Sequence, residues 1–378
     1  MRPLFQRSTP QCFSIFAVIL LVVAAVSGQS GRVAGTPTPT PPEETERVLT
    51  EEVKLNVLAF DENGKFVPNV KESDIVITDN NVLNQPTSVR RIPANVLIVM
   101  DTGGELRTVK NLDQTRRVAR ALVEALRPGD SIAIMQYSDK PEIVTEWTTD
   151  KEQAYAAINR TKFGRRDAFV AALDMGRNFL MRNPADNRHM VLITDGTDSK
   201  PGTSAKFDAF QRLVETDISV HVISYTSMEA ADVAPRTKSV RTDNTPSPKA
   251  LPDEVKATLP NGTRDVATAP KVGPTIFLDR TLVKRMKARK ADLEDSQEKL
   301  DKLTENTNGE FIVPTSLDEM VDKAPLVANM IDAAYVVTYN PKIPIIDRKG
   351  LIQRSIEVTS KRPGLIVQAR RRLLFEAQ

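Results

Sequence analysis

Short, nearly unbroken aliphatic runs constrain this chain most. NVLIVMD (95–101), SIAIMQYS (131–138), HMVLITD (189–195) and SVHVISYT (219–226) are each too short for a typical helix and too apolar for a half-exposed strand. Such runs read as strands buried on both faces. Between them the period changes. TRRVARALVEALRPGD (115–130) is helical up to a Pro-Gly stop, and DAFVAALDMGRNFLM (167–181) and SAKFDAFQRLVE (204–215) carry the same amphipathic spacing. Buried strands alternating with amphipathic helices predict an α/β fold, a doubly wound and mostly parallel sheet with helices on both faces.

The flanks read differently. VKLNVLAF (53–60), a turn at Asp61–Gly64 and the strand SDIVITD (73–79) predict a small antiparallel β unit over 48–93. The tail RSIEVTSKRPGLIVQARRRLLF (354–375) predicts a hairpin turning at Arg-Pro-Gly, so that 341–378 packs back on that unit. The α/β domain is expected over 94–340. It includes the helical 280–305, with a heptad stripe of Met286, Leu293 and Leu300, a short strand at 309–314, a helix and the strand AYVVTYNP. Residues 227–275, rich in Pro, Thr and Lys, are expected to be a flexible insertion and a candidate specificity element. At the start, Arg2 and Arg7 precede the apolar run Phe13–Val26 and small residues, the layout of a signal peptide over 1–28. A Thr/Pro-rich linker occupies 29–47.

Composition narrows the function classes. The one cysteine, Cys12, lies in the expected signal, so an exported mature chain has neither disulfides nor thiol chemistry. Without Arg2 and Arg7 the 52 basic side chains come close to balancing the 49 acidic ones, which leaves no general attraction to nucleic acid. The two histidines, His189 and His221, sit in strands away from any nucleophile elbow, and Gly103-Gly104 lacks the spacing and Lys-Ser/Thr ending of a phosphate loop.

Asp101 and Asp195 each close a buried strand. The carboxyl ends of such strands are where an open parallel sheet binds ligands. Asp167 lies just before a helix and could cap it or face the same crevice. With these residues on the page, MDTGGE, the acid at Asp167 and LITDGTDS together resemble the von Willebrand factor A family over residues 94–338. That resemblance implies a metal-ion-dependent adhesion site, built from an Asp-x-Ser-x-Ser motif, a threonine in the second loop and an aspartate at the third strand end. It also implies that an acidic side chain of a partner completes the metal's coordination.

Here Asp101 and Asp195 keep the two aspartate positions, but Gly103 and Glu105 replace the serines and Asp167 replaces the threonine. Two arrangements follow. Asp101, Glu105, Asp167 and Asp195 hold a hard cation, Mg²⁺ or Ca²⁺, or Arg165 and Arg166 act as fixed counter-charges and no cofactor is present. The second is preferred, because four acids over-neutralise a dication. Gly103, Arg165, Arg166 and Thr197 are then interaction candidates around the crevice. The expected function is a non-enzymatic protein-interaction or adhesion module, secreted or in the periplasm and cell envelope, with no nucleic-acid partner and no membrane span after signal cleavage. The alternatives are a metal-dependent hydrolase using the acid cluster and an inert structural component of an assembly.

Overall fold

The computed structural model describes residues 52–104, 112–199, 203–238, 240–241, 275–276, 280–343, 350–370 and 372–377. The expected signal peptide, the linker, Glu105 and residues 242–274 of the insertion lie outside these. Among the described residues no helix is long and apolar enough to cross a membrane.

In chain order the strands are β1 (Val53–Phe60), β2 (Ile75–Asp79), β3 (Val82–Asn84), β4 (Ser88–Arg90), β5 (Asn95–Asp101), β6 (Ser131–Tyr137), β7 (Pro141–Thr148), β8 (Arg188–Thr194), β9 (Ser219–Ser224), β10 (Val240–Arg241), β11 (Thr275–Ile276), β12 (Phe311–Ile312), β13 (Ala334–Tyr339), β14 (Gly350–Ser360), β15 (Ile366–Ala369) and β16 (Arg372–Ala377). The helices are α1 (Leu112–Ala125), α2 (Lys151–Arg160), α3 (Phe169–Arg182), α4 (Thr203–Val214), α5 (Thr226–Val233), α6 (Arg280–Thr307) and α7 (Leu317–Asp332).

The central sheet has the order β12-β9-β8-β5-β6-β7, and all its pairs are parallel except β6 with β7. All seven residues of β5 are buried. Its side chains alternate between two cores, which is why the run has no polar face. Val96, Ile98 and Met100 pack with Leu122 of α1 and Val327 of α7 on one side. Leu97 and Val99 pack with Leu173 of α3, Leu213 of α4 and Leu300 of α6 on the other. The fold is therefore α/β and doubly wound, with small antiparallel sheets beside it. Residues 115–125 lie in α1, and the chain turns back through Gly129, at φ +96°, locked by the Asp130 carboxylate, which accepts from the Ala94 amide at 2.8 Å.

The flanking strands form two four-stranded antiparallel sheets, β15-β1-β13-β4 and β16-β14-β2-β3. Two expectations are corrected here. The strand at 334–339 does not extend the parallel sheet: β13 lies between β1 and β4, so the α/β excursion ends before it. An all-buried strand has the same apolar pattern in either setting. The Arg-Pro-Gly turn does not close a hairpin either, because β14 pairs with β2 and β16 whereas β15 pairs with β1, so the turn carries the chain from one sheet to the other. A buried ion pair of Arg354 with Asp79 helps join the sheets, since Asp79 also accepts from the Tyr339 hydroxyl at 3.0 Å.

The expected insertion begins later than its composition indicates. Residues 226–233 are α5, followed by a 3-10 turn over Ala234–Thr237, and Val233 and Ala230 pack on Met286 and Leu293 of α6.

The amino-terminal ends of the parallel strands rest on the β unit. Asn56 of β1 donates to the Asp217 carbonyl, and Arg370, beyond β15, is buried while donating to the carbonyls of Thr216, Ile218 and Thr307. Arginines near the end of a terminal strand are ordinarily solvated, but Arg370 is buried. Burial pulls its guanidinium down to about 10 despite the nearby Asp217. Arg370→Met keeps the aliphatic stem and orphans three carbonyls, so a loss of about 2 kcal/mol is expected. Urea unfolding checks this, and an unchanged midpoint would show that Arg370 does not help join the two parts.

Candidate functional site

The crevice lies at the carboxyl ends of β5 and β8. Because Met100 and Ile193 are register partners, the next residues, Asp101 and Thr194, lie side by side and Asp195 follows at once. The Tyr137 hydroxyl is 2.5 Å from Thr194 Oγ1, and Thr194 donates to Asp101 Oδ2 at 3.2 Å while accepting from the Gly196 amide at 2.7 Å. That arrangement leaves Tyr137 as the donor to Thr194. Burial first, then the negative charges of Asp101, Asp195 and Asp167, keep the Tyr137 phenol well above its usual range, so it remains a donor. The Gly103 amide donates to Asp101 Oδ1 at 3.2 Å.

Asp167 reaches the same place from the loop before α3. Its amide donates to Ser199 Oγ at 2.8 Å and its carbonyl accepts from the Ser199 amide at 2.8 Å. Asp198 accepts from the Val170 amide at 2.9 Å, which satisfies an early amide of α3. The loops after β8 and before α3 are thereby tied together. A Cβ placed on Gly103 would overlap the Arg166 carbonyl and lie 2.6 Å from Asp167 Oδ1. The Arg166 carbonyl first, and the acid at 167 second, fill the space a serine side chain at 103 would need.

Asp195 is fully buried, and both of its oxygens have donors. Oδ1 accepts from the amide and hydroxyl of Thr197, at 2.9 and 2.8 Å. Oδ2 accepts from Arg289 Nη2 at 2.9 Å, and Arg289 Nη1 donates to Thr197 Oγ1 at 2.7 Å. Burial alone would lower the Arg289 guanidinium, but Asp195, Glu229, Asp167 and Asp292 raise it above its ordinary value. Among the described residues, the cation that meets Asp195 is Arg289 of α6. Arg165 and Arg166 were expected in that role, but their side chains are exposed, and Arg166 binds Asp139 through its backbone amide. Glu105 lies outside the described residues.

The rest of α6 is fastened to the same loop. Lys206 Nζ donates to the Gly196 carbonyl at 2.7 Å and to Ser296 Oγ at 2.8 Å, and Ser296 also donates to the Gly196 carbonyl at 3.2 Å. Arg289 was missed because a basic residue among many in α6 looks solvated. The usable signal was its position, three residues after Met286 and four before Leu293, on the buried stripe rather than the wet face.

Among the described residues the donor set does not suit a divalent cation. A hard dication needs six or more oxygens at short range. Here both Asp195 oxygens and Thr197 Oγ1 are engaged by the site's own donors, Asp101 accepts from Gly103 and Thr194, and position 103 has no hydroxyl. Among the described residues no group of three His, Cys, Asp or Glu side chains is disposed to hold a metal ion. The histidines are remote, near the amino-terminal ends of β8 and β9. The Glu310 amide donates to His221 Nδ1 at 3.1 Å, His221 Nε2 lies 3.0 Å from His189 Nδ1, and His189 Nε2 lies 2.9 Å from Asn187 Oδ1.

The parallel sheet and the strand-end acids define an open α/β domain with a crevice at the carboxyl ends of its strands. Residues 96–197 match the family model of the von Willebrand factor type A domain. A search of curated proteins returns no match. Among solved structures, the chain is similar to a von Willebrand factor type A protein from Catenulispora acidiphila, at 10% identity over 87% of this chain and 75% of that one, with a TM-score of 0.41. It is also similar to an aerotolerance-related membrane protein from Bacteroides fragilis carrying multiple mutations to serine, at 16% identity over 63% of this chain and 98% of that one, TM-score 0.36. A third similarity is to the manganese-loaded TRAP protein of Plasmodium vivax, at 10% identity over 84% of this chain and 97% of that one, TM-score 0.36.

Proposed function

We propose that this chain is an exported, non-enzymatic protein-binding module that engages its partner at the crevice above β5 and β8. The observation that carries the reading is the convergence of two buried strand-end carboxylates, Asp101 and Asp195, on one rim of a von Willebrand factor type A domain. That rim is where open parallel sheets place their ligands. At its mouth Phe163, Arg165 and Arg166 are exposed, and residue 166 abuts Gly103. An exposed aromatic residue and two exposed arginines on one loop suit an acidic protein surface. Gly103 and Thr197, both buried, act by shaping the floor. Against the hydrolase alternative stands the engagement of both Asp195 oxygens by Thr197 and Arg289.

The export element of the proposal rests on residues 1–28, and places the module in the periplasm, the envelope or outside the cell. Residues 242–274 would modulate which partner is accepted.

Capture from envelope extract tests the surface. Arg165→Glu with Arg166→Glu is expected to reduce recovery of the partner about tenfold. Lys54→Glu, on β1 at the opposite end where Lys54 pairs with Asp186, is expected to capture as the wild type does. Equal recovery by both variants would place the contact elsewhere.

A further inference from the structure

We infer that the crevice is a guanidinium site, filled from within the chain by Arg289, and that this arginine takes the place of a bound metal ion. The inference concerns the site's ligand class and holds whichever surface captures a partner.

The first ground is charge. Four acids buried to 5% exposure or less, Asp101, Asp167, Asp195 and Glu229, gather around one rim, and three of them act directly on Arg289. Buried carboxylates demand a cation or neutralisation. Arg289 is the cation that meets Asp195 itself, at 2.9 Å.

Shape is the second ground. Nη1 and Nη2 of one planar group meet Thr197 Oγ1 and Asp195 Oδ2 at 2.7 and 2.9 Å, two acceptors held in one tight turn by the Thr197 bonds to Asp195 Oδ1. A fork of fixed geometry satisfies both, whereas an ammonium is a point charge. The molecule contains its own comparison. Lys206 is buried beside the same loop, yet its ammonium bonds the neutral Gly196 carbonyl and Ser296 hydroxyl, and the carboxylate goes to the guanidinium.

The third ground is the helix that delivers Arg289. The helix opens on Arg280 with no acid in its first turn, which the helix dipole disfavours, and Lys284, Arg285 and Lys287 add like charge along the same half. This half is held by a small cluster of Val233, Met286 and Leu293 with Ala230, separate from the two main cores. The pairing of Arg289 with Asp195 supplies the anchoring that the local sequence lacks.

The experiment uses the full chain as wild type, Arg289→Ala and Arg289→Lys. Thermal unfolding is followed with EDTA, with MgCl₂, MnCl₂ or CaCl₂, and with methylguanidinium chloride against KCl at equal, low millimolar concentration. The wild-type Tm is expected to be the same in EDTA and in each divalent salt. Arg289→Ala is expected to melt about 5–10 °C lower, because it leaves Asp195 buried without its counter-charge. Methylguanidinium should restore part of that loss saturably where KCl does not, and Arg289→Lys should stay near the alanine variant. A divalent salt that raises the wild-type Tm, an Arg289→Ala variant that melts with the wild type, or rescue no better than KCl overturns the inference. If Arg289→Ala does not accumulate folded, calorimetric titration of the wild type with MnCl₂ decides: saturable stoichiometric binding overturns it, and its absence supports it. No partner enters these measurements, so their failure leaves the capture surface standing, and failed capture leaves the guanidinium site standing.

Discussion

Acidification from pH 7 to pH 4.5 is expected to remove about 5 kcal/mol of folding stability, most of it through His189 and His221. Both rings are buried, at 1% and 0% exposure. Their hydrogen-bond chain specifies neutral rings. The Glu310 amide can only donate, so His221 Nδ1 accepts and its Nε2 carries the proton toward His189 Nδ1, while His189 Nε2 donates to Asn187 Oδ1. A proton added to either ring sets two N–H groups against each other or against the Glu310 amide. Burial drives His221 down to about 3, and burial followed by His221, Arg370 and Arg127 holds His189 well below its usual value.

In the unfolded chain both rings titrate near 6.5, so each takes up a proton there that the folded chain refuses. Stability is therefore complete above that pH and falls as the pH drops toward the folded values, approaching about 2.7 kcal/mol per pH unit for two rings. Burial raises the carboxyls of Glu310 and Asp292, which acts in the opposite direction at the acid end of the range and trims the loss. Urea midpoints measured from pH 7.5 to 4.5 test this. A slope of one proton or fewer between pH 6 and 5 would mean that the rings do not titrate as a buried pair.

Gly103→Ser, which rewrites the first motif toward the family pattern, is expected to cost about 3 kcal/mol or more and to confer no metal binding. Overpacking a closed site ordinarily costs about 1–3 kcal/mol. The new Cβ would overlap the Arg166 carbonyl, a backbone group that cannot rotate aside, and would press on Asp167 Oδ1 at 2.6 Å. The loop cannot retreat cheaply, because the Arg166 amide is bonded to Asp139 and residue 167 to Ser199. Adding Asp167→Thr removes the second clash, so the double variant should be less damaged than additivity predicts, by about 1 kcal/mol. Denaturant unfolding of the four members of the cycle measures that coupling. A Gly103→Ser protein as stable as the wild type would show that the space at position 103 is not closed.

The legible parts of this protein were those with local causes. An aliphatic run ending on aspartate announces a strand end by itself, so Asp101 and Asp195 could be placed on one rim before any coordinates. The unread parts depend on partners distant in sequence. Arg289 is an ordinary basic residue until its helix is laid across the sheet. The β13 pattern of buried aliphatics and tyrosines is the same whether the strand has parallel neighbours or, as found, β1 and β4. The role of Arg370 has no local signal, because the carbonyls it meets belong to Thr216, Ile218 and Thr307. The helix α5 was hidden by the unusual composition of the segment that follows it. Asp167 was seen as a departure from a motif, but its steric link to Gly103 only exists once two loops are brought into contact.

The place of β13 between β1 and β4 bears on how the chain is made. Strands β1 to β4 leave the ribosome before the α/β portion, yet β1 and β4 lack β13, the strand between them, until Ala334–Tyr339 has been synthesised, and the sheet of β2 and β3 lacks β14 for longer still. The helical and parallel portion between them is contiguous and can condense while translation continues. The leading strands must wait, edges open, for the polypeptide to return, an interval of some tens of seconds at ordinary elongation rates. Nascent protein halted before Ala334 should consequently hold a protease-resistant middle and a digestible beginning.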